Sequence, residues 1–397
     1  MMSLRFAISR LSGRSCASRY YSVAQEECIA EPKDFSKKLK FDSVSIDEDK
    51  RMLRTKARDC NLQEHDSLLE ITWDDISRSV FDAEWLRKRN ISETELRRER
   101  ARFYLPDPTP WKQEEVFRAV IDTPADWVEM MSNDWYMSKS MQRFLKYGIL
   151  YVENVPRYGG QVNLLGQRLG WVWNCHYGPI WWIKAEAQPS DLAYSRHRLG
   201  VHADLLCLQE PPGIQIFHAL KNEADGGVSE FVDGLNVALE LKEEEPENFE
   251  LLTKTVVEYI DKGSFQGTRY FHSAKHPVIK LGLNGEVTET RIADQRRSWF
   301  FDAPVEDYDR IYHAIDAFYK ICYRRQNLLQ LKIEQGHLVM FHNLRVLHGR
   351  GEYPAGPRGK VVRLLEGCYL PLDVVRSFIR QTECDLDGEA AHPGLHF

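Results

Sequence analysis

Two histidines and an aspartate carry the side chains a metal ion would use. His202 and Asp204 lie in Arg198-Leu-Gly-Val-His202-Ala-Asp204, and His348 lies in Arg345-Val-Leu-His348-Gly-Arg350. Residues two apart on a strand point to the same side, so the sequence places His202 and Asp204 on one face of a strand, able to reach one ion together. Two imidazoles and one carboxylate, leaving one face open, form the ligand set of non-haem iron(II) oxygenases. An H-x-D pair alone has little weight, because such spacings recur by chance and most histidines are structural. Arg363, in the alternating run Val361-Val-Arg363-Leu-Leu-Glu-Gly, adds a coupled signal. An arginine on the buried side of that strand can grip a carboxylate through two parallel hydrogen bonds, as a 2-oxoglutarate site requires.

The elements that must position these residues are mostly short strands. From Gly213 onward the sequence reads as strands at Ile214–Phe217, Glu230–Val232, Val278–Leu281, Leu338–Phe341 and Val361–Leu365, with a helical insert from Asp307 to Tyr323. Before them come helical patterning over 112–146, a buried strand from Tyr147 to Val155 and a helix from Val162 to Gly170. Many short strands separated by turn signals indicate a mainly β chain with added helices, a jelly roll. Leu105-Pro-Asp-Pro-Thr-Pro110 is a proline-rich breaker and sets a domain boundary. Ahead of it, Leu68–Trp73 reads as a strand, and Phe81–Leu86 and Glu93–Arg100 as helices, making a small α+β domain over 22–105. The catalytic domain then spans 106–397.

Composition narrows the classes. The chain has 397 residues, 43% hydrophobic and 11% aromatic, which describes a folded globule. A net charge of −6 gives no electrostatic footprint for nucleic acid, and no apolar run is long enough for a membrane span. Eight cysteines without a C-x-x-C pair suit a reducing compartment. Residues 1–21 differ from the rest. Arg5, Arg10, Arg14 and Arg19 alternate with serines, and no acidic residue precedes Glu26. Such a segment reads as a mitochondrial presequence, placing the mature protein in the matrix, or otherwise in the cytoplasm if the segment is only a basic tail.

Over residues 112–385 the chain resembles the γ-butyrobetaine and trimethyllysine dioxygenases, a TauD-like family of Fe(II)/2-oxoglutarate hydroxylases. The motifs are Tyr177-Gly-Pro-Ile-Trp181, Ala193-Tyr194, His202-Ala-Asp204, Gly226-Gly-Val-Ser-Glu-Phe-Val-Asp233-Gly, Arg345-Val-Leu-His348-Gly-Arg350 and Arg363-Leu-Leu-Glu-Gly-Cys-Tyr369. The resemblance implies a double-stranded β-helix, iron held by His202, Asp204 and His348, and 2-oxoglutarate anchored by Arg363. It also implies ascorbate as a supporting reductant, O2 as co-substrate and a homodimer. Tyr177, Trp181 and Tyr194 match the family's aromatic cage for a quaternary ammonium, and Tyr369 adds a wall. Ring faces suit such a group, which has no N–H to donate. Arg350 has two readings, a second contact to the co-substrate or a partner for an acidic neighbour. Asp233 reads as a turn residue, and His176, His197, His218 and His342 as structural.

Two departures from the family pattern matter. Only Cys60 and His65 occur where the family places a structural zinc, so the small domain is expected to lack it. Asp294, in Arg291-Ile-Ala-Asp294-Gln-Arg-Arg297, stands where the γ-butyrobetaine enzymes carry an asparagine near the substrate carboxylate. An aspartate there would repel a carboxylate but could accept from the α-ammonium of trimethyllysine. The expected reaction is hydroxylation of γ-butyrobetaine to carnitine, with trimethyllysine hydroxylation as the alternative. A non-catalytic betaine-binding protein and a zinc hydrolase are rivals from other classes.

Overall fold

The computed structural model describes residues 57–63, 68–73, 78–82, 105–184, 195–265, 267–356 and 360–386. The presequence, Tyr194, His65 and the expected Glu93–Arg100 helix lie outside them. The chain divides into two units, Met1–Phe103 with Glu383–Phe397, and Tyr104–Thr382. In the first, β1 (Ala57–Gln63), β2 (Leu68–Trp73) and β3 (Arg78–Asp82) form an antiparallel sheet in which Ile71 and Trp73 are buried. The strand reading of Leu68–Trp73 agrees. The helix expected from Phe81 does not begin there, because Phe81 pairs across the ladder with Leu69 and Asp82 with Leu68. Cross-strand pairing overrides the local helical signal.

In the second unit the strands are β4 (Ala125–Asp126), β5 (Ile149–Glu153), β6 (Trp181–Ile183), β7 (Leu199–His202), β8 (Ile214–Asn222) and β9 (Ser229–Asp233). They continue as β10 (Val256–Phe265), β11 (Thr268–Pro277), β12 (Ile279–Leu281), β13 (Val287–Thr290) and β14 (Arg297–Phe301). The last four are β15 (Leu329–Leu331), β16 (Leu338–His342), β17 (Val346–Arg350) and β18 (Arg363–Leu370). Two sheets make the jelly roll, one of four strands in the order β15-β9-β17-β7 and one of six in the order β4-β5-β16-β8-β18-β6. This is the mainly β, double-stranded β-helix architecture expected from the sequence. The long β10–β11 hairpin, to which β14 adds, is not legible in the sequence pattern.

Period-two alternation sorts the side chains of the six-stranded sheet. On β8, Ile214 and Ile216 pack outward with α1 (Asp134–Tyr147), α2 (Gln161–Leu169) and α6 (Leu372–Leu386), while Phe217 joins the interior between the sheets. On β18, Cys368 and Leu370 face the helices, and Leu365 and Tyr369 face inward. The four-stranded sheet is covered by α3 (Gly234–Glu244), α4 (Pro246–Lys254) and α5 (Tyr308–Cys322), which bury Val232 and Leu347. Asp233 caps α3 by accepting from Leu235 N and forms a buried ion pair with Arg345 at 3.0 Å. Arg345 also donates to the carbonyls of Thr109 and Lys146, so this pair ties the start of the domain to the barrel. Among the described residues no helix is long and apolar enough to cross a membrane.

Candidate active site

A cavity between the two sheets collects most of the residues singled out in the sequence. It is lined by Tyr177, Trp181, His202, Asp204, His348, Arg350, Arg363 and Tyr369. His202 ends β7 and pairs directly with His348 on β17, so the ladder register sets the two rings 4.3 Å apart. The register slips between His348 and Arg350, with Arg350 opposite Leu199. One extra residue in β7 therefore lets Leu199 and His202, three apart, both face the cavity. Gly349 permits this crossing, since a Cβ there would lie 2.7 Å from the Leu199 carbonyl oxygen.

Asp204 departs from the expectation of a shared strand face. The strand stops at His202, and Asp204 opens a turn followed by Leu205 in the left-handed region at φ 55°. That conformation is disfavoured for a branched side chain and needs support from its surroundings. Asn343 supplies it, accepting from Asp204 N at 2.8 Å and donating to Asp204 O at 3.0 Å. The carboxylate is oriented as well: Oδ2 accepts from Gln215 Nε2 and from the Tyr369 hydroxyl, each at 2.7 Å. Oδ1 lies 3.1 Å from His202 Nε2. The ligand atoms of His202, Asp204 and His348 all fall within 4.8 Å of one another.

The protonation states suit a cation. His202 Nδ1 sits 2.8 Å from the Gly200 carbonyl oxygen, to which it donates, so Nε2 is the ring nitrogen turned toward Asp204. Burial, with His202 beside it, pushes His348 down to about 3, so its ring is neutral at physiological pH. Burial alone would raise the Asp204 carboxyl, but His348, His202 and the Tyr369 hydroxyl together hold it well below the usual range. An anionic carboxylate and two imidazoles whose ligand atoms converge on one space fit a divalent iron.

At the start of β18 Arg363 lines the cavity, almost wholly buried, and its Nε meets no hydrogen-bond partner. Its guanidinium lies 5.9 Å from the Tyr353 ring, with that of Arg350 5.0 Å from the same ring. Burial, then the neighbouring Arg350, lowers Arg363 to about 10, leaving it cationic. Among the described residues no carboxylate pairs with Arg363. A buried cation without an anion is unfavourable by several kcal/mol, so this part of the cavity is built for an anionic ligand, and a dicarboxylic 2-oxo acid fits. Arg350 lines the same cavity and donates to the carbonyls of Gly351 and His197, which hold its guanidinium in place.

Aromatic residues line the same cavity, and Tyr369 reaches the triad through its hydroxyl. Trp181 packs its ring 5.1 Å from Tyr369 and 5.7 Å from Phe217. Gly367 opposite Trp181 is required, because a Cβ there would overlap the indole. Among the described residues, Asp294 is the expected site residue that does not line the cavity. It begins a 3-10 turn, is exposed and accepts from Arg297 Nε at 3.0 Å. That turn points Gln295 and Arg296 inward instead. Gln215, Asn343, Asp261 and Arg296 were missed by sequence reasoning. Only Gln215, a polar residue alternating with Ile214 and Ile216 on a buried strand, left a readable trace.

Residues 115–369 match the model of the family described as taurine catabolism dioxygenase TauD, TfdA family. The chain belongs to this family. Human γ-butyrobetaine dioxygenase is 32% identical over 311 residues, 78% of each chain. Mouse mitochondrial trimethyllysine dioxygenase is 29% identical over 344 residues, 86% of this chain and 76% of the relative. The γ-butyrobetaine dioxygenase of Pseudomonas sp. (strain AK-1) is 28% identical over 367 residues, 92% of this chain and 86% of the relative. The family and the site together make the chain an iron- and 2-oxoglutarate-dependent dioxygenase, taking O2 and a small-molecule substrate.

Proposed function

We propose that this dioxygenase hydroxylates γ-butyrobetaine to carnitine, with iron held by His202, Asp204 and His348. One observation carries the proposal: a single cavity is lined by the histidine–carboxylate triad, by the buried Arg350 and Arg363, and by the rings of Tyr177, Trp181 and Tyr369. Bound iron and 2-oxoglutarate supply an oxidative decarboxylation that delivers one atom of O2 to a substrate C–H bond, leaving succinate and CO2. The protein's own part is binding, orientation and exclusion of water. Arg363 takes the far carboxylate of the co-substrate, with Arg350 beside it. Tyr177, Trp181 and the ring of Tyr369 offer π faces to the trimethylammonium group, and Tyr194 is assigned to the same cage on sequence alone. Leu199, Phe217, Phe231 and Leu365 make the walls apolar.

The placement of Asp294 supports γ-butyrobetaine over trimethyllysine. A carboxylate that is exposed and paired with Arg297 is not available to an α-ammonium in the cavity. Ascorbate as supporting reductant, a homodimer, a small domain over 22–105 and a matrix location complete the proposal. The last is supported by the arginine- and serine-rich first 21 residues and by the mitochondrial relative.

A competition assay tests it. The full chain, with Fe(II), 2-oxoglutarate and ascorbate, is offered γ-butyrobetaine and trimethyllysine together, and products are read by mass spectrometry. Carnitine is expected. Hydroxytrimethyllysine as the main product would overturn the substrate choice. No succinate at all would favour a betaine-binding protein, and zinc rather than iron after anaerobic purification would favour a hydrolase.

A further inference from the structure

Beside the aromatic wall the cavity meets an acid to which the proposed chemistry gives no task. Asp261 comes from β10, in the hairpin added outside the two jelly-roll sheets, and it lines the cavity. Its Oδ1 accepts from Arg296 Nη1 at 2.7 Å. Its Oδ2 accepts from the Tyr177 hydroxyl at 3.3 Å and lies 3.5 Å from His176 Nε2. The His176 ring in turn packs, tilted, 4.0 Å from Tyr177 and 4.4 Å from Tyr270 on β11. Asp261 therefore stands directly behind one ring of the aromatic wall.

The pair is asymmetric. The Asp261 side chain is 3% exposed, while that of Arg296 is 27% exposed and lines the same cavity. Burial alone would raise the Asp261 carboxyl, but His176 and Arg296 hold it below the usual range, so it is an anion. Without that anion, an accessible guanidinium would face the headgroup and repel it, since charges in a poorly hydrated cavity are weakly screened. A phenol donating to a carboxylate also has a more electron-rich ring, which strengthens its face as a cation partner.

We propose that Asp261 determines specificity for a cationic headgroup: it seats Tyr177 and cancels the charge of Arg296, so the pocket prefers trimethylammonium over a neutral group of the same shape. This rests on the substrate reading above. A merely structural Asp261 would tie β10 to the 294–296 turn and affect every substrate alike.

The test compares kcat/KM for γ-butyrobetaine with that for 5,5-dimethylhexanoate, in which carbon replaces the ammonium nitrogen. In Asp261→Asn the cation-to-neutral ratio is expected to fall roughly tenfold, the scale of weakening one cation–π partner beside an uncancelled charge. Arg296→Gln is expected to raise the ratio, reading the same field with opposite sign even where Asp261→Asn does not fold. Equal losses on both substrates in both variants would overturn the role of Asp261. A wild-type enzyme with no preference for the cation would overturn the headgroup reading itself.

Discussion

Two groups of cavity-lining residues are built by different means. His202, His348, Arg350 and Arg363 sit on strands of the two sheets, where backbone ladders set their relative positions, and Asp204 follows in a turn held by Asn343. Trp181 and Tyr369 share those ladders, but Tyr177 lies in a loop, Asp261 comes from an added hairpin, and Arg296 belongs to a single 3-10 turn. A ladder fixes register in steps of a residue and tolerates little drift, which suits metal ligation. Loops and added hairpins can change without disturbing those ladders, which suits the part that chooses a substrate. The proposed iron and co-substrate ligands thus rest mainly on ladders, and the Tyr177–Asp261–Arg296 group on looser elements.

The sharpest way to break this division is at the triad. His202→Ala or Asp204→Ala should abolish both iron retention and substrate-coupled succinate release, measured by metal analysis and product assay; normal turnover in either would refute the iron assignment. Next in size, Arg363→Ala should weaken use of 2-oxoglutarate by about 2–5 kcal/mol, the effect of removing one partner of a buried charge interaction. An unchanged co-substrate KM would put the anion elsewhere.

Tyr369→Phe separates the two proposed roles within one residue. It keeps the ring beside Trp181 and removes the hydroxyl that orients Asp204, so iron affinity or kcat should fall about 10–100-fold while substrate KM changes little. A change confined to substrate KM would make Tyr369 a cage residue alone. The smallest effect is expected at Asp294. Asp294→Asn breaks a half-exposed pair with Arg297, worth under about 1 kcal/mol of stability, and should leave KM for γ-butyrobetaine as it was. A marked rise would bring Asp294 back into the site.

The sequence by itself determined the jelly-roll class and singled out His202, Asp204, His348, Arg363, Tyr177 and Trp181, which the fold gathers around one cavity. Alternation of buried and exposed positions and local motif spacing are written along the chain, and they survive without knowledge of the fold. It also read Asp233 as a turn residue, and Asp233 does cap a helix. Only the tertiary structure decided what depends on pairing between distant segments. The Asn343 bracket around Asp204 and the Tyr177–Asp261–Arg296 chain join residues 35 to 139 positions apart in sequence. The bulge that brings Leu199 and His202 to one side likewise exists only in a ladder with the distant β17. Asp294 shows the same limit from the other side. Its type and place in the motif suggested a substrate contact, yet one turn of 3-10 helix faces it to solvent and hands the cavity to Arg296, because rotation about a short turn is set by what packs around it and not by the residues within it.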